Sequence, residues 1–227
     1  MSDEPLTFDP ARFGGTARVF PLPGMVMFPH VMQALHIFEP RYRAMLEDAL
    51  SDDRLIAMAT LSNAPGDDAA RPALEPAACL CRIATSQRAP DGTSNILLLG
   101  VRRLTLGAER PPIRPFRVFE AEILEDIEPA VAEGAAAGLQ QDLLAAFRRT
   151  LPEIPQAREQ LDQLLAADLS LGMLADIVAY SLDLDVRWKL RLLAEPDVVR
   201  RTRLLVQALS QRSARKPRPF PPPFSRN

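Results

Sequence analysis

The sequence predicts an α+β protein, with strands gathered in its first half and helices in its second. Three observations lead there. Between about residues 18 and 126 apolar residues alternate with polar ones or form short unbroken runs. After residue 126 the apolar spacing lengthens to roughly 3.6, the period of a helix. One helical stripe, near residue 40, interrupts the strand-like half.

The elements follow in order. Val19-Phe20-Pro21-Leu22 is a short apolar run closed by Pro23-Gly24. Residues 31–38 alternate, with Val31, Gln33, Leu35 and Ile37 on one side and Met32, Ala34, His36 and Phe38 on the other. Pro40 suits a first helical position because its missing N–H is no loss there. Tyr42, Met45, Leu46, Ala49 and Leu50 then make a buried stripe, with Glu39 and Arg41 expected to set the turn and cap the helix. Residues 55–61 are apolar on both faces, as in a central strand, and residues 62–72 read as a polar loop. The runs 79–83 and 96–101 flank Pro90-Asp91-Gly92 and form a hairpin. Phe119, Ala121 and Ile123 oppose Glu120 and Glu122 on a half-buried strand.

In the second half Leu139, Leu143 and Phe147 mark a helix ended by Pro152, and Leu161, Leu164 and Leu165 mark another. Ser170 caps a third, facing inward with Leu174, Ile177, Val178 and Leu182. Asp185 caps a fourth with Val186, Leu190 and Leu193 inward, and Pro196 opens a fifth with Val198, Thr202, Leu205 and Leu209 in register. From Arg212 the chain is basic and proline-rich, a composition expected to stay extended. The expected division is an extension at 1–17, a β-rich unit at 18–128, a helical bundle at 129–211 and a tail at 212–227.

Composition narrows the function. A net charge of −2 gives no bulk attraction to nucleic acid or anionic membrane. No run approaches the roughly 18 apolar residues of a membrane span, and Asp3, Glu4 and Asp9 replace the apolar or basic pattern of a targeting peptide. A cytoplasmic location is expected. All but two of the 27 basic residues are arginines, the exceptions being Lys189 and Lys216, and arginine does not serve as a base. Cys79 and Cys81 read as packed apolar residues. His30 and His36 lack converging ligands, so no metal and no cofactor is expected.

Four stretches carry a resemblance. Phe20-Pro21-Leu22-Pro23-Gly24-Met25-Val26-Met27-Phe28-Pro29 is similar to the opening motif of the Lon protease N-terminal domain family, and Leu35-His36-Ile37-Phe38-Glu39-Pro40-Arg41-Tyr42-Arg43 resembles that family's most recognisable stretch. Residues 79–103 resemble its hairpin, closed by Leu99-Gly100-Val101-Arg102-Arg103-Leu104, and Leu174-Ala175-Asp176-Ile177-Val178-Ala179 looks like the start of its helical region. The likeness spans about residues 18–209, with Cys81 standing where that family often has glycine. It implies a PUA-like β-barrel with one inserted helix, followed by a C-terminal helical bundle, and a substrate-binding role.

The chain contains no G-x-x-x-x-G-K-[ST] phosphate loop, and neither lysine is placed to serve a nucleophilic serine. The expectation is therefore a non-catalytic module, without ATPase or protease chemistry, that binds unfolded or partly folded polypeptides, either presenting them to a partner such as a protease or chaperone, competing for them, or acting as a separate quality-control factor. Met25, Met27, Phe28 and Met32 are the candidate binding residues, because methionine adapts to varied apolar partners; one or two of them are expected to be exposed. RNA binding is the alternative, through Arg187, Lys189, Arg191, Arg200, Arg201 and Arg203.

Overall fold

A computed structural model of the chain describes residues 8–62, 71–128, 133–150 and 169–214. Among them are six strands, β1 (Thr16–Leu22), β2 (Met32–Ile37), β3 (Leu55–Leu61), β4 (Leu74–Arg88), β5 (Ser94–Glu109) and β6 (Arg117–Leu124). Five helices accompany them, α1 (Pro40–Leu50), α2 (Glu133–Arg148), α3 (Leu171–Ser181), α4 (Val186–Leu193) and α5 (Val198–Ala214). The mixed α+β class follows directly. No helix among the described residues is long and apolar enough to cross a membrane.

The strands form one sheet in the order β2-β5-β4-β3-β1-β6, and β6 pairs with β5 as well as with β1. The ladder β5-β4-β3-β1-β6 therefore returns to β5, leaving β2 outside the ring. Every pairing is antiparallel except β1 with β3, whose crossover runs through β2 and α1. β5 is long enough to share one of its edges. Residues 94–99 of that edge take β2, residues 103–109 take β6, and the opposite edge takes β4.

The changeover on that shared edge explains Gly100. The 26–30 segment crosses β5 there, with His30 N–H donating to the Gly100 carbonyl at 2.8 Å and Gly100 N–H donating to Val31 at 2.9 Å. A Cβ on Gly100 would lie 2.1 Å from the Phe28 carbonyl oxygen. Only glycine permits that approach. Cys81 faces Gly100 across the ladder and is buried with a free thiol. The close backbone contact thus survives the cysteine, because glycine stands on the partner strand.

Strand periodicity divides the apolar residues between two cores. Inside the ring lie Ala17, Val19, Leu55, Ala57, Ala59, Ala78, Leu80, Leu104 and Phe119, many of them small. Outside it, Phe20, Ile56, Met58, Cys79 and Ile83 join Tyr42, Met45 and Leu46 of α1 and the inward faces of α2, α3, α4 and α5. β3 is therefore buried on both faces, as its unbroken apolar run predicts.

Helix starts refine the sequence reading. Ser170 accepts from Met173 N–H and Asp185 from Arg187 N–H, as expected. Glu39 occupies the cap position of α1 but makes no capping bond, and its carboxylate pairs with Arg41 instead. The fifth helix, expected to open at Pro196, is capped by Asp197, which accepts from Arg200 N–H at 2.9 Å. α5 runs to Ala214, two residues past the expected start of the tail. The helix expected over Leu161–Leu165, the turn at Pro152, most of the 62–72 loop and most of the tail fall outside the described residues.

Two predictions follow from these contacts. Gly100→Ala forces the Phe28 backbone away and lowers stability by about 1–3 kcal/mol, the usual cost of overpacking, read as a lower urea midpoint. Glu109 accepts two bonds from Arg117 and one from Arg71. The Arg117 bonds chiefly, helped by Arg71, hold its carboxyl down at about 2 against the opposing effect of burial. A folded pKa below the unfolded value of roughly 4.3 stabilises the fold above that pH, and the gain is lost as pH falls toward 2. Glu109→Gln lowers the urea midpoint at neutral pH, and a pH series shows the gap to wild type closing between about pH 4.3 and 2.

Candidate functional site

Of the four apolar candidates, the fold turns two inward. Met27 and Phe28 are fully buried in the outer core, and Met25 is half-buried against it. The 26–30 segment must pack tightly to cross Gly100, which leaves these side chains no route to solvent. Met32 is different: it begins β2 and is 61% exposed. Phe38, just past the end of the same strand, is also 61% exposed and was not among the candidates. The signal for Phe38 was present in the alternation of residues 31–38, which put it on the side of Met32.

That shared side is a surface. Met32, Ala34 and His36 are exposed, while Gln33, Leu35 and Ile37 turn toward the protein. The His36 ring lies against the Phe38 ring, centroids 6.1 Å apart, and its Nδ1 is 2.8 Å from Asn95 Oδ1. Half-buried Leu97 and Leu99 of β5 are the register partners of Ala34 and Met32. The strip carries no Asp, Glu, Lys or Arg and runs along a strand, so its apolar groups are presented with little flexibility.

The basic candidates divide as well. Arg201 is 1% exposed and part of an ion cluster, so it is removed from any surface patch. Lys189 turns inward, donating from Nζ to the Tyr180 carbonyl at 3.0 Å, and desolvation pulls its pKa below the ordinary lysine value. Arg187, Arg191, Arg200 and Arg203 are exposed. Three of these arginines, with Glu195 and Leu204, line a groove of about 520 Å³ between α4 and α5. Arg187 approaches Asp185 and Arg200 approaches Glu195, each at 3.6 Å, which offsets part of the positive charge.

The ion cluster joins the two halves of the chain. Arg103 of β5, 2% exposed, pairs with Asp126 at 3.1 Å and with fully buried Asp176 of α3. Arg201 of α5 pairs with Asp126 at 2.6 Å and also donates to the Glu195 carbonyl at 2.8 Å. Burial pushes the Asp176 carboxyl up, and the two guanidinium groups oppose that shift. The charges balance, yet Arg103 Nε, Arg201 Nε and Asp176 Oδ2 have no hydrogen-bond partner among the described residues. Such a cluster fixes geometry more than it adds net stability.

Cys79 and Cys81 are buried free thiols, and desolvation holds the Cys79 thiol well above its ordinary value. No group of three or more His, Cys, Asp or Glu among the described residues is placed to hold a metal ion.

This sheet and its packed helices match solved N-terminal domains of Lon proteins. A Lon N-terminal domain protein from Xanthomonas campestris superposes with a TM-score of 0.61 at 21% identity, covering 85% of this chain and 97% of that one. The N-terminal domain of the Mycobacterium avium complex Lon protease gives 0.63 at 20% identity, covering 86% and 98%. The family model for the ATP-dependent protease La (LON) substrate-binding domain matches residues 16–211, and the chain belongs to that family. The Lon protease of Xanthomonas oryzae pv. oryzae is 30% identical over 190 residues, which is 83% of this chain and 22% of that protein. The Lon protease of Heliobacterium modesticaldum is 25% identical over 193 residues, 85% of this chain and 23% of that protein. The chain thus spans less than a quarter of the length of these relatives.

One prediction tests the cluster. Asp176→Ala leaves Arg103 and Arg201 buried with one carboxylate between them and lowers stability by about 3–5 kcal/mol. Urea titration followed by tryptophan fluorescence reads the loss.

Proposed function

We propose that this chain is a non-catalytic recognition module that binds unfolded or partly folded polypeptide segments on the exposed face of β2. The observation that carries the reading is Met32 and Phe38, each 61% exposed, at the start of β2 and just past its end, with the His36 ring against Phe38. Large apolar side chains grouped on a surface mark an interaction site. Membership of a substrate-binding domain family supports the same conclusion. In this reading the closed ladder is the family's β-barrel, residues 129–211 are its helical companion, and a protease or chaperone is the partner that receives the bound segment.

Binding of this kind rests on apolar burial, so it has low sequence specificity and modest affinity. The alternative, RNA binding, retains Arg187, Arg191, Arg200 and Arg203 for support, while Lys189 and Arg201 are held inward.

Fluorescence anisotropy separates the two. Labelled reduced and carboxymethylated α-lactalbumin, permanently unfolded, binds saturably and with little salt dependence, whereas a labelled RNA oligomer does not bind. Met32→Asp with Phe38→Asp weakens polypeptide binding at least about tenfold without lowering the melting temperature, since both side chains are exposed. RNA binding that falls steeply with salt overturns the reading.

A further inference from the structure

The main chain of β2 points to how the segment is held. β2 pairs with β5 on one edge, and no other strand among the described residues pairs with it. In an antiparallel ladder, residues alternate between pairs that exchange N–H···O bonds and pairs whose groups point away. The Gly100 N–H bond to the Val31 carbonyl sets that alternation at the start of β2. With Gln33 opposite Leu98, Leu35 opposite Ile96 and Ile37 opposite Ser94, the bonded pairs are 33, 35 and 37. The β4–β5 hairpin agrees independently. Ala89 N–H donates to Thr93, which turns Asn95 and Leu97 toward β4 and leaves Ser94, Ile96 and Leu98 for β2.

The N–H and C=O groups of Met32, Ala34 and His36 therefore face outward. The Ala34 carbonyl is met by its neighbour's side chain, Gln33 Nε2 at 2.7 Å, and by the same alternation the three N–H groups point away from β5. Their side chains are the exposed ones. Open edges are usually blunted by charge, proline or a bulge. β2 carries no charged residue and no proline, and its register with β5 is unbroken over six pairs.

Resting on the polypeptide-binding reading, we infer that β2 takes an extended, uncharged polypeptide segment as an added strand. The outward groups of Met32, Ala34 and His36 form its main-chain ladder, and Met32 and Phe38 cover its apolar side chains. Main-chain bonds give affinity without a required sequence. The chain's own C-terminal segment does not suit this edge. Pro217, Pro219, Pro221, Pro222 and Pro223 deprive it of N–H donors, and Arg215, Lys216 and Arg218 give it a charge that an uncharged strip does not attract.

The test uses the whole chain and two fluorescein-labelled, end-blocked decapeptides alternating valine and threonine, one of them N-methylated at every residue. The plain peptide binds and the methylated one binds at least about tenfold more weakly, because methylation removes the donors that meet the edge. Ala34→Pro has the same effect on plain-peptide binding. Its lost N–H points outward, and proline is tolerated on an edge strand in that orientation, so its melting temperature stays close to wild type. Equal binding of the two peptides overturns the strand-addition mode, as does unchanged binding by a folded Ala34→Pro variant. Carboxymethylated α-lactalbumin binding in either case keeps polypeptide recognition while rejecting this mode; loss of all polypeptide binding rejects both. A concentration-dependent dimer in sedimentation velocity that Ala34→Pro dissociates, and that the plain peptide does not compete with, assigns the edge to a second copy and overturns the inference.

Discussion

The buried cluster of Arg103, Asp126, Asp176 and Arg201 is the constraint on which the rest of the arrangement depends. It draws one residue each from the long strand β5, the connection after β6, helix α3 and helix α5. Apolar packing alone leaves helices free to slide, because dispersion and area burial have little direction. Paired guanidinium and carboxylate groups do not slide. Each pair has a narrow range of distances and angles, and a displaced partner leaves a charge in the interior. Gly172 sits against the cluster, where a Cβ would approach Arg201 and Asp126 at 3.3 Å, so α3 is drawn close to the charges it carries. The sheet and helices thereby share one outer core.

That fixed frame separates two jobs along the first strand segments. The 26–30 stretch is committed to packing, which is why Met27 and Phe28 are buried despite a composition suited to contact. A few residues later β2 leaves the ring and attaches only to the outer half of β5. It is held at the back by Tyr180 of α3, whose hydroxyl meets the Gln33 side chain. Met32, Ala34 and His36, on its other face, stand in solvent. The same chain direction thus passes from core to surface within about one turn of sequence, and rigidity in the first part sets the orientation of the second.

Much of this was readable in the sequence where local patterning decides the outcome. The period of residues 31–38, the double-sided run 55–61, the hairpin at Pro90-Asp91-Gly92 and the caps at Ser170 and Asp185 all depend on near neighbours. What escaped depends on distant ones. Arg201 looked like its exposed neighbours because nothing local distinguishes an arginine that meets Asp126, 75 residues away. Met27 and Met32 are chemically alike, and only the crossing over Gly100 buries one while freeing the other. Phe38 is legible in the alternation of residues 31–38, on the side of Met32. Asp197 follows Pro196 directly, and its side chain meets Arg200 N–H only once the helix has formed.

The closure of the ladder carries a consequence for how the chain is born. β1 depends for its outer partner on β6, with Thr16 opposite Glu120 and Val19 opposite Arg117. Roughly a hundred residues must therefore leave the ribosome before the first strand finds its last neighbour, and such long-range pairing is slow to form. During that interval β1 and β3 offer apolar edges in the crowded space near the ribosome exit. The domain is a client of the same hazard that an unfolded chain presents, and it escapes only once its sixth strand arrives.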